Sequence, residues 1–162
     1  MELQDIRIGI ADLNVVCSPN RLITVGLGSC IGIALYDSVS KIGGLAHIML
    51  PDSKKFSNVT NPAKFADLAI PILVKNMINK GAKEKNLKAK IAGGASMFNF
   101  SDKSMIMDIG NRNSQCVIKT LNDMSIPIIS QDVGGNKGRT MILYTENGLV
   151  EIKTVGIGTR QI

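Results

Sequence analysis

A chain of 162 residues suits one domain and can bury a core without help from disulfides or metals. It is 44% hydrophobic and 20% charged, which is ordinary for a soluble globular protein, and its formal net charge of +6 suits either solubility or a polyanionic or acidic partner. Three widely spaced cysteines imply no disulfide framework, and with only one histidine beside them they make no plausible zinc set. Residues 6–17 alternate loosely between apolar and polar, which predicts two short strands turning near Asp12. Leu22–Val25 is a third strand, ended by Gly26-Leu27-Gly28-Ser29. Segments 31–36 and 42–50 read as a hairpin around Asp37–Lys41, closed by Pro51. Residues 52–61 read as a loop. Asn61-Pro62 then opens a helix whose apolar face carries Phe65, Leu68, Ala69, Ile72, Leu73 and Met77, with Pro71 kinking its interior and Gly81 closing it.

Further along, 87–92 is a strand, 93–110 a long loop, and Asn113–Met124 a second helix with Val117, Leu121 and Met124 inward. Ile126–Gln131 is a strand, and 140–145 pairs with 149–154 as a final hairpin. About eight strands and two helices in this order do not make a βαβ repeat. The fold class is α+β, a layered β-sandwich of mixed sheets with flanking helices, and no linker divides residues 1–162.

Several functions are disfavoured. The lysines are scattered and no aromatics interleave with them, so nucleic acid is not the expected partner. The longest uncharged run, Leu22–Tyr36, has fifteen residues interrupted by glycines, too short to span a bilayer. No leader segment is evident, and the unpaired cysteines suit the cytoplasm. Carboxylates are few and unpaired, and neither glycine-rich stretch has the spacing of a dinucleotide or P-loop motif, so no cofactor is expected.

The chemistry concentrates on Cys30 and His47. A lone histidine on an apolar strand is ordinarily a core residue satisfied by a carbonyl, and a free cysteine ordinarily packs a sheet. The hairpin changes that balance, because it brings the start of one strand, Cys30, beside the end of its neighbour, His47. The glycine turn before Cys30 supplies amide donors around Gly28 and Ser29 for an oxyanion. A paired histidine would hold the thiol as thiolate, and Thr24 on the adjacent strand is placed to orient the imidazole.

These residues carry a family likeness. The runs Thr24–Ile31, Gly43–Pro51, Lys90–Phe98, Ile109–Asn113 and Asp132–Arg139, in that order, closely resemble the CheD chemoreceptor glutamine deamidases. The resemblance implies a cytoplasmic amidohydrolase with a cysteine, histidine and threonine triad, falling here on Cys30, His47 and Thr24. It implies glutamine side chains of methyl-accepting chemotaxis receptors as substrate and the CheC phosphatase as a second partner. It implies a fold like the catalytic domain of cytotoxic necrotizing factor toxins. A partner-contacting phenylalanine in the family falls on Phe98 or Phe100. The rival expectation is a non-catalytic module acting by docking to CheC or a receptor.

Overall fold

The computed structural model describes residues 2–96 and 108–162. Ten strands and two helices are found among them, in the order β1 (Asp5–Ile8), β2 (Asp12–Cys17), β3 (Arg21–Leu27), β4 (Ile31–Asp37), β5 (Ile42–Ile48), α1 (Ala66–Lys80), β6 (Leu87–Gly93), α2 (Ile109–Asp123), β7 (Ile128–Val133), β8 (Arg139–Tyr144), β9 (Val150–Thr154) and β10 (Gly158–Gln161). They build two five-stranded sheets. One runs β1-β3-β8-β9-β10 and the other β2-β5-β4-β6-β7. Both are mixed: β1 lies parallel to β3 and β6 parallel to β7, and every other pair is antiparallel.

Side-chain alternation in β4 explains the layers. Ile31, Ile33 and Leu35 point to one face and meet Ile70, Leu73 and Met77 of α1 and Val117 and Leu121 of α2. Ala34 points the other way, with Leu45 and Ala92, and meets Leu22, Leu27, Met141 and Leu143 of the first sheet. The second sheet is thus the middle of three layers, with the first sheet on one side and both helices on the other. All seven residues of β5 are buried, as expected of a strand covered on both faces. The architecture is the expected α+β sandwich. Among the described residues, no helix is long and apolar enough to cross a membrane.

Several boundaries differ from the sequence reading, each for a tertiary reason. Asn61 does cap a turn, its side chain accepting from the Ala63 N–H with Pro62 next in line, but that turn is a short 3-10 helix. Phe65 is then drawn into extended backbone by a bridge to Leu50, so α1 begins only at Ala66. The same junction holds the end of the hairpin, because the Met49 and Leu50 amides both donate to the Lys64 carbonyl. The helix continues across Pro71, which lies on its exposed side. Residues 53–55 form a further 3-10 turn where a loop was expected. α2 starts four residues earlier than the periodicity indicates, and β7 is displaced to Ile128–Val133. β10 was not anticipated. All four of its residues are exposed, so it carries no apolar period to read.

Candidate active site

The hairpin register fixes the geometry around Cys30 and His47. Ile31 pairs with Ile48 and Gly32 with His47. His47 therefore lies opposite Gly32, and Cys30 is its diagonal neighbour on the same face of the sheet. Diagonal Cβ separations are about 7–8 Å, longer than the direct pairing expected from the sequence, and the thiol makes no hydrogen bond to the ring in this structure. That face is the inner one, turned toward the first sheet. Cys30 packs half-buried at the edge of the inter-sheet core, while His47 is fully buried. Access to the pair is from the cysteine side.

Thr24 reaches His47 from the opposite layer. Its Oγ1 lies 2.7 Å from His47 Nδ1 and 2.8 Å from the Ile8 carbonyl oxygen. A carbonyl can only accept, so the hydroxyl proton goes to Ile8, and the hydroxyl oxygen must accept from the ring. Nδ1 therefore carries the imidazole proton, and Nε2 presents a lone pair. β1 and β3 run parallel with Ile8 beside Thr24, which is why that carbonyl is in place. Among the described residues, Nε2 is buried without a hydrogen-bond partner. An unsatisfied buried acceptor costs about 1–3 kcal/mol, so the fold retains it at a cost.

Electrostatics favour a neutral pair. Burial lowers the His47 pKa from 6.5 to about 4. Burial also raises the Cys30 thiol above its ordinary value, opposed in part by its own amide N–H, which favours the thiolate. The sequence reading expected a thiolate held beside a protonated ring. The desolvated seam between the sheets works against both charges, and no acidic side chain among the described residues contributes to the histidine's shift.

The turn before Cys30 is built by a break in β3. Pairing with β8 shifts between Thr24 and Leu27, with Gly26 at φ +76°. Bulges of this kind re-aim the chain beside functional sites. The Gly28 N–H donates to the Gly26 carbonyl at 3.1 Å. The Ser29 and Cys30 amides donate to no main-chain carbonyl among the described residues. The turn is braced from behind, since the Gly94 N–H donates to the Cys30 carbonyl and the Ala95 N–H to the Gly28 carbonyl. A Cβ on Gly93 would stand 2.1 Å from the Cys30 carbonyl oxygen, and its φ of +112° suits only glycine. Gly93→Ala is expected to destabilise the protein by about 3 kcal/mol or more, read as a lowered urea midpoint. An unchanged midpoint would mean that this close approach is relaxed in solution.

Two groups escaped the sequence reading. Arg139, itself buried, donates Nη1 to the Gly93 carbonyl at 2.6 Å and to the Asp132 carbonyl at 3.0 Å, and Nη2 to the Gly134 carbonyl. Asn113, fully buried on α2, donates Nδ2 to the Ser29 and Met49 carbonyls, both at 2.9 Å. The readable signal for Asn113 was a polar residue in the buried stripe Asn113–Val117–Leu121. It was masked by starting the helix at Asn113, where an asparagine reads as a cap. Phe98 and Phe100 lie outside the described residues. No group of three or more metal-ligating side chains occurs among the described residues.

A solved structure, that of the Bacillus licheniformis hypothetical protein YfiH, is 15% identical with a TM-score of 0.45, covering 77% of this chain and 50% of its own. A curated protein of Clostridium novyi, named a probable chemoreceptor glutamine deamidase CheD, is 73% identical over the full length of both chains. Proteins of the same name from Clostridium kluyveri and Clostridium acetobutylicum are 67% and 68% identical, the first over 100% of both chains and the second over 99% of this chain and 96% of its own. The family model described as CheD chemotactic sensory transduction matches residues 49–154. On that match and on full-length relatives of this similarity, the chain belongs to the CheD family.

Proposed function

We propose that the chain, acting as one domain over residues 1–162, deamidates glutamine side chains of methyl-accepting chemotaxis receptors to glutamate in the cytoplasm, through a thioester on Cys30. The observation that carries the reading is the oriented imidazole: Nδ1–H committed to Thr24, and Nε2 left as a buried acceptor on the face it shares with Cys30. The names borne by the Clostridium relatives support the substrate. The net charge of +6 suits an acidic partner surface.

Because burial keeps both groups neutral, His47 acts as a general base on a thiol rather than as the counter-ion of a preformed thiolate. As Sγ bonds to the carboxamide carbon, Nε2 takes the thiol proton. The Ser29 and Cys30 amides face the developing oxyanion. Collapse of the tetrahedral intermediate breaks the C–N bond, and the Nε2 proton leaves with ammonia. Water then attacks the thioester with Nε2 as base, and the proton returns to sulfur as glutamate departs. Thr24 holds the ring in one tautomer throughout. Replacing it with valine is expected to lower kcat roughly tenfold to a hundredfold, while Thr24→Ser retains most activity because the hydroxyl persists. Equal losses in both variants would remove the hydroxyl from the account.

The same reading takes the CheC phosphatase as a second partner, with Phe98 or Phe100 as the contact. It also keeps the likeness to the catalytic domain of cytotoxic necrotizing factor toxins, on the family resemblance alone. The deciding experiment is mass spectrometry of a receptor cytoplasmic fragment incubated with the protein. A gain of about 1 Da at specific glutamines, the mass difference between an amide and an acid, is expected only when Cys30 is intact. Fragments unchanged by the intact protein would overturn the assignment.

A further inference from the structure

Resting on the deamidase reading, we infer that Asn113 is a positioning residue: by holding the Ser29 carbonyl, it aims the Cys30 amide N–H at the oxyanion, and by holding the Met49 carbonyl, it locks the nucleophile turn to the histidine strand.

Nδ2 has two hydrogens, and each has an acceptor at 2.9 Å, Ser29 O on the nucleophile turn and Met49 O two residues past His47. The Ser29–Cys30 peptide is trans, so its carbonyl and N–H point in opposite directions. Fixing the Ser29 oxygen on the α2 side therefore fixes the Cys30 N–H on the other side. That is the side away from α2, where no main-chain carbonyl among the described residues takes the Cys30 N–H. The N–H is thus kept free for the oxygen of a carbonyl attacked by sulfur. A flipped amide would set Oδ1 against two carbonyl oxygens, so only one orientation of the side chain is tolerable.

The helix is brought close enough by small residues. A Cβ on Gly110 would stand 2.6 Å from the Gly94 and Ala95 carbonyl oxygens, so the first turn of α2 rests directly on the backbone that braces Cys30. Ser114, next to Asn113, turns its hydroxyl back to the Gly110 carbonyl and leaves the asparagine alone in the turn. Asn113 is completely buried, so it acts on the chemistry only through the peptide it grips.

An oxyanion donor matters in the transition state and hardly at all in substrate binding. The test is therefore a comparison of kcat, KM and iodoacetamide alkylation of Cys30 in Asn113→Ala and Asn113→Ser, with rates expressed per folded molecule as counted by circular dichroism. Alkylation displaces iodide from a saturated carbon and needs no oxyanion donor. The expected result is a kcat lower by about 10²-fold, with KM within roughly twofold and the alkylation rate of Cys30 unchanged. A kcat per folded molecule equal to that of the parent protein, or a chain that folds with neither substitution, overturns the inference and leaves Asn113 a structural brace. A parent protein without Cys30-dependent deamidation overturns the deamidase reading, and this inference with it.

Discussion

Cys30→Ala is expected to reduce ammonia release from receptor fragments to background, a loss on the order of 10⁴-fold or more, while the urea midpoint stays close to that of the parent. The side chain is half-buried at the margin of the inter-sheet core, so losing one sulfur atom costs little packing. A thioester intermediate further requires that hydroxylamine intercept the acyl group and yield a hydroxamate at the target glutamine in the parent protein but not in the variant. Undiminished ammonia release from Cys30→Ala would assign the chemistry elsewhere. Because burial raises the thiol pKa, alkylation of Cys30 is expected to need a higher pH than alkylation of an ordinary thiol. Efficient labelling near neutral pH would instead indicate a preformed ion pair.

His47→Asn is the second large effect. Asparagine keeps an N–H near the position of Nδ1 and removes the base, so kcat is expected to fall about 10³- to 10⁴-fold with the fold preserved. The variant also isolates a stability effect. In the folded state His47 titrates at about 4, against 6.5 for an ordinary histidine. Above pH 6.5 neither state is protonated and the neutral buried ring is fully compatible with folding. Between 6.5 and about 4 the unfolded chain takes up a proton that the folded chain refuses, so stability falls as pH falls through that window. The loss amounts to about 3 kcal/mol at most. Carboxylates also titrate at the acid end, so the measurement is the difference between the parent and His47→Asn in unfolding free energy from pH 7 to pH 4.5. A constant difference would place the ring in contact with water.

What the sequence made legible is what local period and spacing control. The 31–37/42–48 hairpin, the strand of Thr24 and the capped entry to the first helical segment are set by alternation and by turn and cap residues within a few positions of one another. They suffice to bring Cys30, His47 and Thr24 into one region. The exact pairing was not legible, because a two-residue offset in a tight turn moves a side chain from opposite to diagonal on the same face. The Ile8 carbonyl, the Arg139 fan of donors and the Asn113 bridge were not legible either. Each joins segments tens of residues apart through main-chain oxygens, and a main-chain oxygen has no sequence signature. The resting charge state was misjudged for a related reason. Proximity of a thiol and an imidazole suggests ionisation, whereas the depth at which they sit is a property of the closed sandwich.

The four-residue edge strand at the start of the chain has a role larger than its area. It lies outside the segment that the family model spans, yet its Ile8 oxygen terminates the relay running from the imidazole through the threonine. A relay ended by a pure acceptor has only one polarity. Peel that strand away and the threonine proton is free to turn toward the ring, giving an imidazole that offers a hydrogen where it should offer an electron pair. A molecule lacking that strand would thus retain all three reactive side chains and still be silent, poisoned by the direction of a single O–H bond.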